Sequence, residues 1–157
     1  MKDRARQRDV GRANLTFEAL DILTDDQVST IVELTNDPEL ALHVITHALT
    51  NGRNAITASK KVVAENLAEL IALQRSTGRS LLYEASCAAS IPVLNALETH
   101  FSGEQVQRIE GILNGTTNYI LTRVSEGLSL EVALRLAQDN GFAERGPYSD
   151  ISGEDAR

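Results

Sequence analysis

Tryptophan is absent from this 157-residue sequence, and phenylalanine and tyrosine occur only three times each. Any core must therefore be built from aliphatic side chains rather than aromatic anchors. Cysteine occurs once, at Cys87, which excludes an internal disulfide framework and suits a reducing compartment. Basic residues are in deficit, with 15 Lys and Arg against 22 Asp and Glu and a formal net charge of −7. A nucleic-acid surface would want a basic stripe, so that class of partner is not expected. No apolar run approaches the roughly 20 residues that cross a bilayer, and the polar N-terminus has no signal-peptide core. The expectation is a soluble cytoplasmic protein with neither membrane nor nucleic-acid partners. No internal repeat or low-complexity run is present.

What remains is globular in composition, with 42% hydrophobic and 24% charged residues. Residues 1–13 are dominated by charge and read as a lead-in. A short helix is expected over 17–23 and a strand over 28–34, where Ile31, Val32 and Leu34 suit burial in a parallel sheet. Asp37-Pro38 is a helix start, an acidic cap followed by proline at the first helical position. Ala41, Val44, Ile45 and Ala48 form its buried stripe, and Asn51-Gly52 ends it. A strand over 54–57 follows. A longer helix begins at Lys60, turns Val63, Leu67, Leu70 and Ile71 inward, and stops at Gly78. Residues 80–85 read as the next strand. This alternation is that of an α/β doubly wound sheet, which binds ligands at the carboxyl ends of its strands. Those ends are Leu34-Thr35-Asn36, Thr57-Ala58-Ser59-Lys60 and Glu84-Ala85-Ser86-Cys87.

One part of that grammar is missing. Gly11 is the only glycine before Gly52, so no Gly-x-Gly-x-x-Gly turn precedes the first strand. Beyond Cys87 the pattern changes. A helix is expected over 92–101, broken by Ser102-Gly103. A strand then leads into Gly111-Ile112-Leu113-Asn114-Gly115-Thr116-Thr117-Asn118-Tyr119-Ile120-Leu121. There a polar turn opens onto a helix with Thr117, Ile120, Leu121 and Val124 at helical spacing and a threonine as cap. Such a helix start offers free N–H groups to an anion or polarised oxygen. Gly127 ends this helix, and Ser129 caps another that turns Leu130, Ala133, Leu134 and Ala137 inward. His43 and His47 lie four apart on one helix, but no Glu follows His43 and no third ligand is evident, which argues against zinc.

The stretch from Gly111 to Leu121 resembles the signature of homoserine dehydrogenases. Ile56-Thr57-Ala58-Ser59-Lys60-Lys61 resembles that family's Val-Thr-Ala-Asn-Lys motif, with Ser59 in place of Asn. Tyr83-Glu84-Ala85-Ser86-Cys87-Ala88-Ala89-Ser90-Ile91-Pro92 resembles its Tyr-Glu-Ala-Ser-Val-Ala-Gly-Gly-Ile-Pro segment, with Ala89-Ser90 replacing two glycines. Gly141-Phe142-Ala143-Glu144 and Asp150-Ile151-Ser152-Gly153-Glu154-Asp155-Ala156-Arg157 resemble two further motifs, with Arg145-Gly146 departing from the usual acidic pair. The similarity runs from about residue 28 to residue 157.

The resemblance implies a partial Rossmann-like NAD(P)-binding domain over 1–87, followed by part of an α+β substrate and dimerisation domain over 88–157. It implies NADP or NAD as cofactor, and L-homoserine and L-aspartate 4-semialdehyde as the substrate pair, within threonine, methionine and isoleucine biosynthesis. It makes Thr35, Ser59, Lys60 and Gly141 cofactor contacts. Glu144, Asp150, Asp155 and Lys60 become substrate ligands, with Lys60 assisting catalysis and Asp155 in the catalytic pocket. Backbone groups of Glu84, Cys87, Ala89 and Ile91 would hold a structural monovalent cation such as sodium, and the complete protein would be a homodimer. The same comparison implies a central fragment. The glycine-rich loop would precede residue 1, and the main acid/base lysine would follow Arg157, so the chain alone is expected to turn over no homoserine. The alternative is a non-catalytic short form that serves as a binding or subunit-interaction module.

Overall fold

The computed structural model describes residues 11, 14–88 and 90–143. The chain divides into two compact units, Met1–Tyr83 and Glu84–Arg157.

The first unit carries α1 (Ala19–Leu23), β1 (Thr30–Glu33), α2 (Pro38–Thr50), β2 (Asn54–Thr57), α3 (Lys60–Thr77) and β3 (Leu81–Leu82). The three strands are parallel in the order β1-β2-β3, with Ile31 beside Ala55, Glu33 beside Thr57 and Ala55 beside Leu81. Local chemistry sets the helix limits. The Asp37 carboxylate accepts from the Leu40 amide at 3.2 Å and Pro38 opens α2. The α3 helix stops where Gly78 turns left-handed at φ 65°, a conformation that glycine adopts without a Cβ penalty.

The core lies on one side of the sheet. Ile31, Ala55 and Leu81 pack with Ala41, Val44, Ile45, Ala48 and Leu49 of α2 and Val62 and Leu70 of α3. The expected stripe of α2 is therefore buried as read. In α3 the inward set is Val62, Val63 and Leu70, whereas Leu67 is exposed.

The expectation for β1 needs a larger correction. Val32 is 56% exposed and Leu34 is 72% exposed, while Glu33 is only 3% exposed. A strand order that advances one way, joined by right-handed crossovers, places both connecting helices on the same face. Side chains alternate along a strand, so the opposite face presents Val32, Ile56 and Leu82 in one cross-strand row. That face is open among the described residues, and Val32 and Leu82 are exposed on it. The strand expected over 80–85 is also shorter than read. Only Leu81–Leu82 pairs with β2, and Glu84–Ser86 forms a 3-10 turn instead.

The second unit contains that turn, α4 (Val93–His100), α5 (Gly115–Ser125) and α6 (Leu130–Asp139). The Glu84 carboxylate accepts from the Leu94 and Asn95 amides at 3.0 and 2.8 Å, satisfying two donors of the first turn of α4. The α5 and α6 helices form a hairpin around Ile120, Ala133 and Ala137. The two alanines, fully buried, let the helix backbones approach closely. Leu130, expected inward, is exposed, as is Leu121 of the helical run in α5.

No strand forms between Gly103 and Gly111 among the described residues, contrary to expectation. A strand needs a ladder partner, and Val106, Ile109, Ile112 and Leu113 remain exposed without one. The cap of α5 is also not a threonine. Asn114 takes that place, accepting from the Thr117 amide at 2.8 Å.

Candidate functional site

Three parallel strands end at one edge of the first unit's sheet, and α2 and α3 begin just beyond β1 and β2. The expected residues Thr35, Ser59 and Lys60 all fall at this edge. Thr35 is exposed in the turn after β1. Ser59 is the half-buried residue before α3, and its side chain makes no capping hydrogen bond. Lys60, exposed, is the first residue of that helix. A lysine there opposes the helix dipole, and the first turn of such a helix presents N–H groups. Positive charge and N–H donors together suit a phosphate or a polarised oxygen. Lys61, next in the helix, lies 3.9 Å from Glu65 in an exposed pair.

Beneath these turns lies a polar cluster that the sequence reading missed. Glu33 and Thr57 are cross-strand neighbours on the core face, at the end of the apolar ladder. The Glu33 carboxylate accepts from the Thr35 amide at 2.5 Å and the Thr35 hydroxyl at 2.8 Å through Oε1. Through Oε2 it accepts from the Thr57 hydroxyl at 2.6 Å. The Thr57 oxygen in turn accepts from the Ser59 amide at 3.0 Å. A carboxylate buried among apolar groups is costly unless it is hydrogen-bonded, and these three donors answer that cost. The available signal was an acidic residue inside an apolar strand.

The remaining expected positions belong to the second unit. Glu84, Cys87 and Ile91 line the turn before α4, where the Cys87 amide donates to the Glu84 carbonyl at 3.0 Å. The Val93 amide donates to the Ile91 carbonyl at 2.8 Å. Ala88 adopts a left-handed φ of 53°, where the family's segment has the more permissive glycines next door. Ala89 lies outside the described residues.

Gly141 follows α6 with φ 74°, its amide bonded to the Gln138 carbonyl at 3.0 Å. Next to it, the Phe142 carbonyl accepts from the Thr116 hydroxyl at 2.5 Å and the Phe142 ring packs 4.9 Å from Tyr119. The Gly141 turn is thereby fastened to the first turns of α5. Glu144, Asp150 and Asp155 lie outside the described residues. His43 and His47 sit on α2 with ring centroids 6.1 Å apart, and the described residues contain no cluster of metal-ligating side chains. No helix among the described residues is long and apolar enough to cross a membrane.

Comparison with known proteins gives this geometry a context. Residues 1–84 match a family model described as the NAD binding domain of homoserine dehydrogenase, and residues 92–157 match one described as homoserine dehydrogenase. The chain is 36% identical over 155 residues to the homoserine dehydrogenase of Bacillus subtilis, covering 98% of this chain and 36% of that protein. It is similar to the crystal structure of a homoserine dehydrogenase from Thiobacillus denitrificans, with TM-score 0.81 and 34% identity over 90% of this chain and 33% of that one. A hyperthermophilic archaeal homoserine dehydrogenase in complex with NADPH gives TM-score 0.81 at 28% identity, over 90% of this chain and 44% of that one. The chain spans about a third of the length of the curated relatives it matches.

Proposed function

The chain belongs to the homoserine dehydrogenase family, and from that premise we propose that it carries the nucleotide edge and part of the substrate domain of an NAD(P)-dependent oxidoreductase. The reaction is the interconversion of L-homoserine and L-aspartate 4-semialdehyde. The observation that carries this reading is the strand edge itself, where Thr35, Ser59 and the exposed Lys60 meet an uncapped helix start.

The residues at that edge fit a dinucleotide. Thr35 and Ser59 supply hydroxyls, the first turn of α3 supplies amides, and Lys60 supplies a cation. The family resemblance adds Gly141 as a further cofactor contact. When bound, the nicotinamide supplies the hydride. Lys60 stabilises negative charge on the substrate oxygen as it becomes an alkoxide. Glu144, Asp150 and Asp155 supply carboxylates for the ammonium group of the amino acid, and Asp155 holds the substrate oriented for reaction.

The same reading divides the labour near residue 87, with the cofactor domain before it and the substrate domain after it. It assigns carbonyls of Glu84, Cys87, Ala89 and Ile91 to a monovalent cation such as sodium. The Glu84 and Ile91 carbonyls each accept one amide already, and each keeps a second lone pair for a cation. A cytoplasmic homodimer serving threonine, methionine and isoleucine synthesis completes the proposal.

The test is titration of the purified chain with NADPH and with NADH, followed by nucleotide fluorescence, for the native sequence and for Lys60→Ala. Binding of either nucleotide that Lys60→Ala weakens by about tenfold is expected, the loss of one charge-assisted contact. Absence of binding by the native chain at millimolar nucleotide would overturn the reading.

A further inference from the structure

The geometry points to Glu33 as a positioning residue that locks the turn after β1 to the turn after β2, so that the two halves of the nucleotide edge move as one. The inference rests on the NAD(P) reading above and extends it to a side chain that touches neither ligand.

The case begins with the register. Glu33 and Thr57 are directly paired at the last position of β1 and β2, on the face that is apolar at Ile31, Ala55 and Leu81. The buried side of the sheet thus turns polar just where the strands end. Glu33 is 3% exposed and Thr57 is fully buried. An aliphatic pair would fill the same space and keep the core continuous. Replacing buried polar pairs by well-packed apolar ones is often neutral or stabilising, so stability alone does not explain a carboxylate here.

Connectivity explains it better. One oxygen of Glu33 takes both donors of Thr35, the amide and the hydroxyl. The other takes the Thr57 hydroxyl, whose oxygen holds the Ser59 amide. The Ala58 amide reaches the Glu33 carbonyl at 3.4 Å as well. Thr35 and Ser59 lie in different connections, and each leads directly into a helix start. A chain of hydrogen bonds through one carboxylate therefore fixes the backbone of both turns, and with the second turn the place from which Lys60 projects. Buried networks of this kind specify one arrangement when every member is satisfied. Short irregular connections have no ladder to hold them, so they depend on such side chains.

The test reads each turn when the network is cut from the opposite side. In Thr57→Val the shape of the side chain is kept and its hydroxyl is lost, and in Glu33→Gln one acceptor oxygen becomes a donor. Amide hydrogen exchange is followed by NMR in the native chain and both variants, together with NADPH affinity. The expected crossed result is roughly tenfold faster exchange at Thr35 in Thr57→Val and at Ser59 in Glu33→Gln, the scale of one lost hydrogen bond. The Ala55 amide, bonded to the Ser80 carbonyl inside the sheet, should keep its protection in both. NADPH affinity should fall several-fold in both variants.

Unchanged crossed amides would overturn the proposal, as would equal loss of protection at Ala55, which would mark a purely structural role. Unaltered nucleotide affinity despite loosened turns would overturn it too. Failure of the native chain to bind nucleotide is a different result. It overturns the functional reading, while the crossed exchange still decides whether Glu33 couples the turns.

Discussion

Arg53 Nη1 donates a 2.7 Å hydrogen bond to the carbonyl oxygen of Leu23, thirty residues earlier in the chain. The same guanidinium reaches the Val28 carbonyl through Nε and the Asp25 carbonyl through Nη2, both at 2.9 Å. One planar side chain therefore organises the connection from α1 to β1. Arg53→Ala leaves three carbonyls without this donor and is expected to cost about 2–4 kcal/mol in urea unfolding. Arg53→Lys should recover less than half, because a single ammonium cannot reproduce the fork. Asp26 lies 3.7 Å from the guanidinium but is 98% exposed, so Asp26→Ala should stay within about 0.5 kcal/mol of the native chain.

The two faces of the sheet should respond differently to substitution. Ile45 is fully buried in the α2 stripe, and Ile45→Ala should cost about 2–5 kcal/mol through lost transfer energy and a residual cavity. Val32 stands on the open face, and Val32→Thr should change stability by no more than about 0.5 kcal/mol. Equal effects in denaturant titrations would contradict the one-sided core.

These two residues also mark how far the sequence could be read. The buried stripe of α2 was legible because Asp37-Pro38 and Asn51-Gly52 bracket it and helical period selects its inward side. Val32 and Leu34 were misread because a parallel sheet is usually covered on both faces. Which face is covered depends on strand order, and local sequence does not carry strand order. Glu33 was overlooked for a related reason. Its burial is made possible by Thr57, 24 positions away, and pairing at that distance leaves no periodic trace. The strand expected between Gly103 and Gly111 carries Val106 and Ile109, yet a strand is completed by a partner. That Thr35, Ser59 and Lys60 lie at strand ends of the first unit was legible from the strand-helix alternation. The hydrogen bonds that hold Thr35 and Ser59 in place were not.

The helix start at Asn114 gives a local prediction. Asn114→Ala removes the acceptor for the Thr117 amide and should cost about 1 kcal/mol, whereas Asn114→Asp should be nearly neutral because it keeps the acceptor. Exchange at the Thr117 amide is the direct readout, and it should accelerate only in the alanine variant.

Adjacent lysines at the head of α3 should separate in a binding experiment. Lys60→Ala is expected to weaken NADPH binding by about tenfold. Lys61→Ala should change it by less than about twofold, because the family resemblance puts the first lysine of the pair, not the second, against the nucleotide. Equal losses in a fluorescence titration would show that net charge alone matters at this edge.

The pairing of Glu33 with Thr57 has a further consequence for how the chain finds its fold. Strand side chains repeat with a period of two, so sliding β1 by one residue against β2 would exchange its faces. Apolar residues tolerate that error here, since Ile31 and Val32 are both aliphatic and similar in size. Glu33 does not tolerate it. In the slipped arrangement its place in the core would fall to Val32 or Leu34, and the Thr57 hydroxyl would be left buried with no acceptor. The carboxylate therefore acts as a proofreading mark on strand alignment, distinguishing two pairings that hydrophobicity alone would leave nearly degenerate.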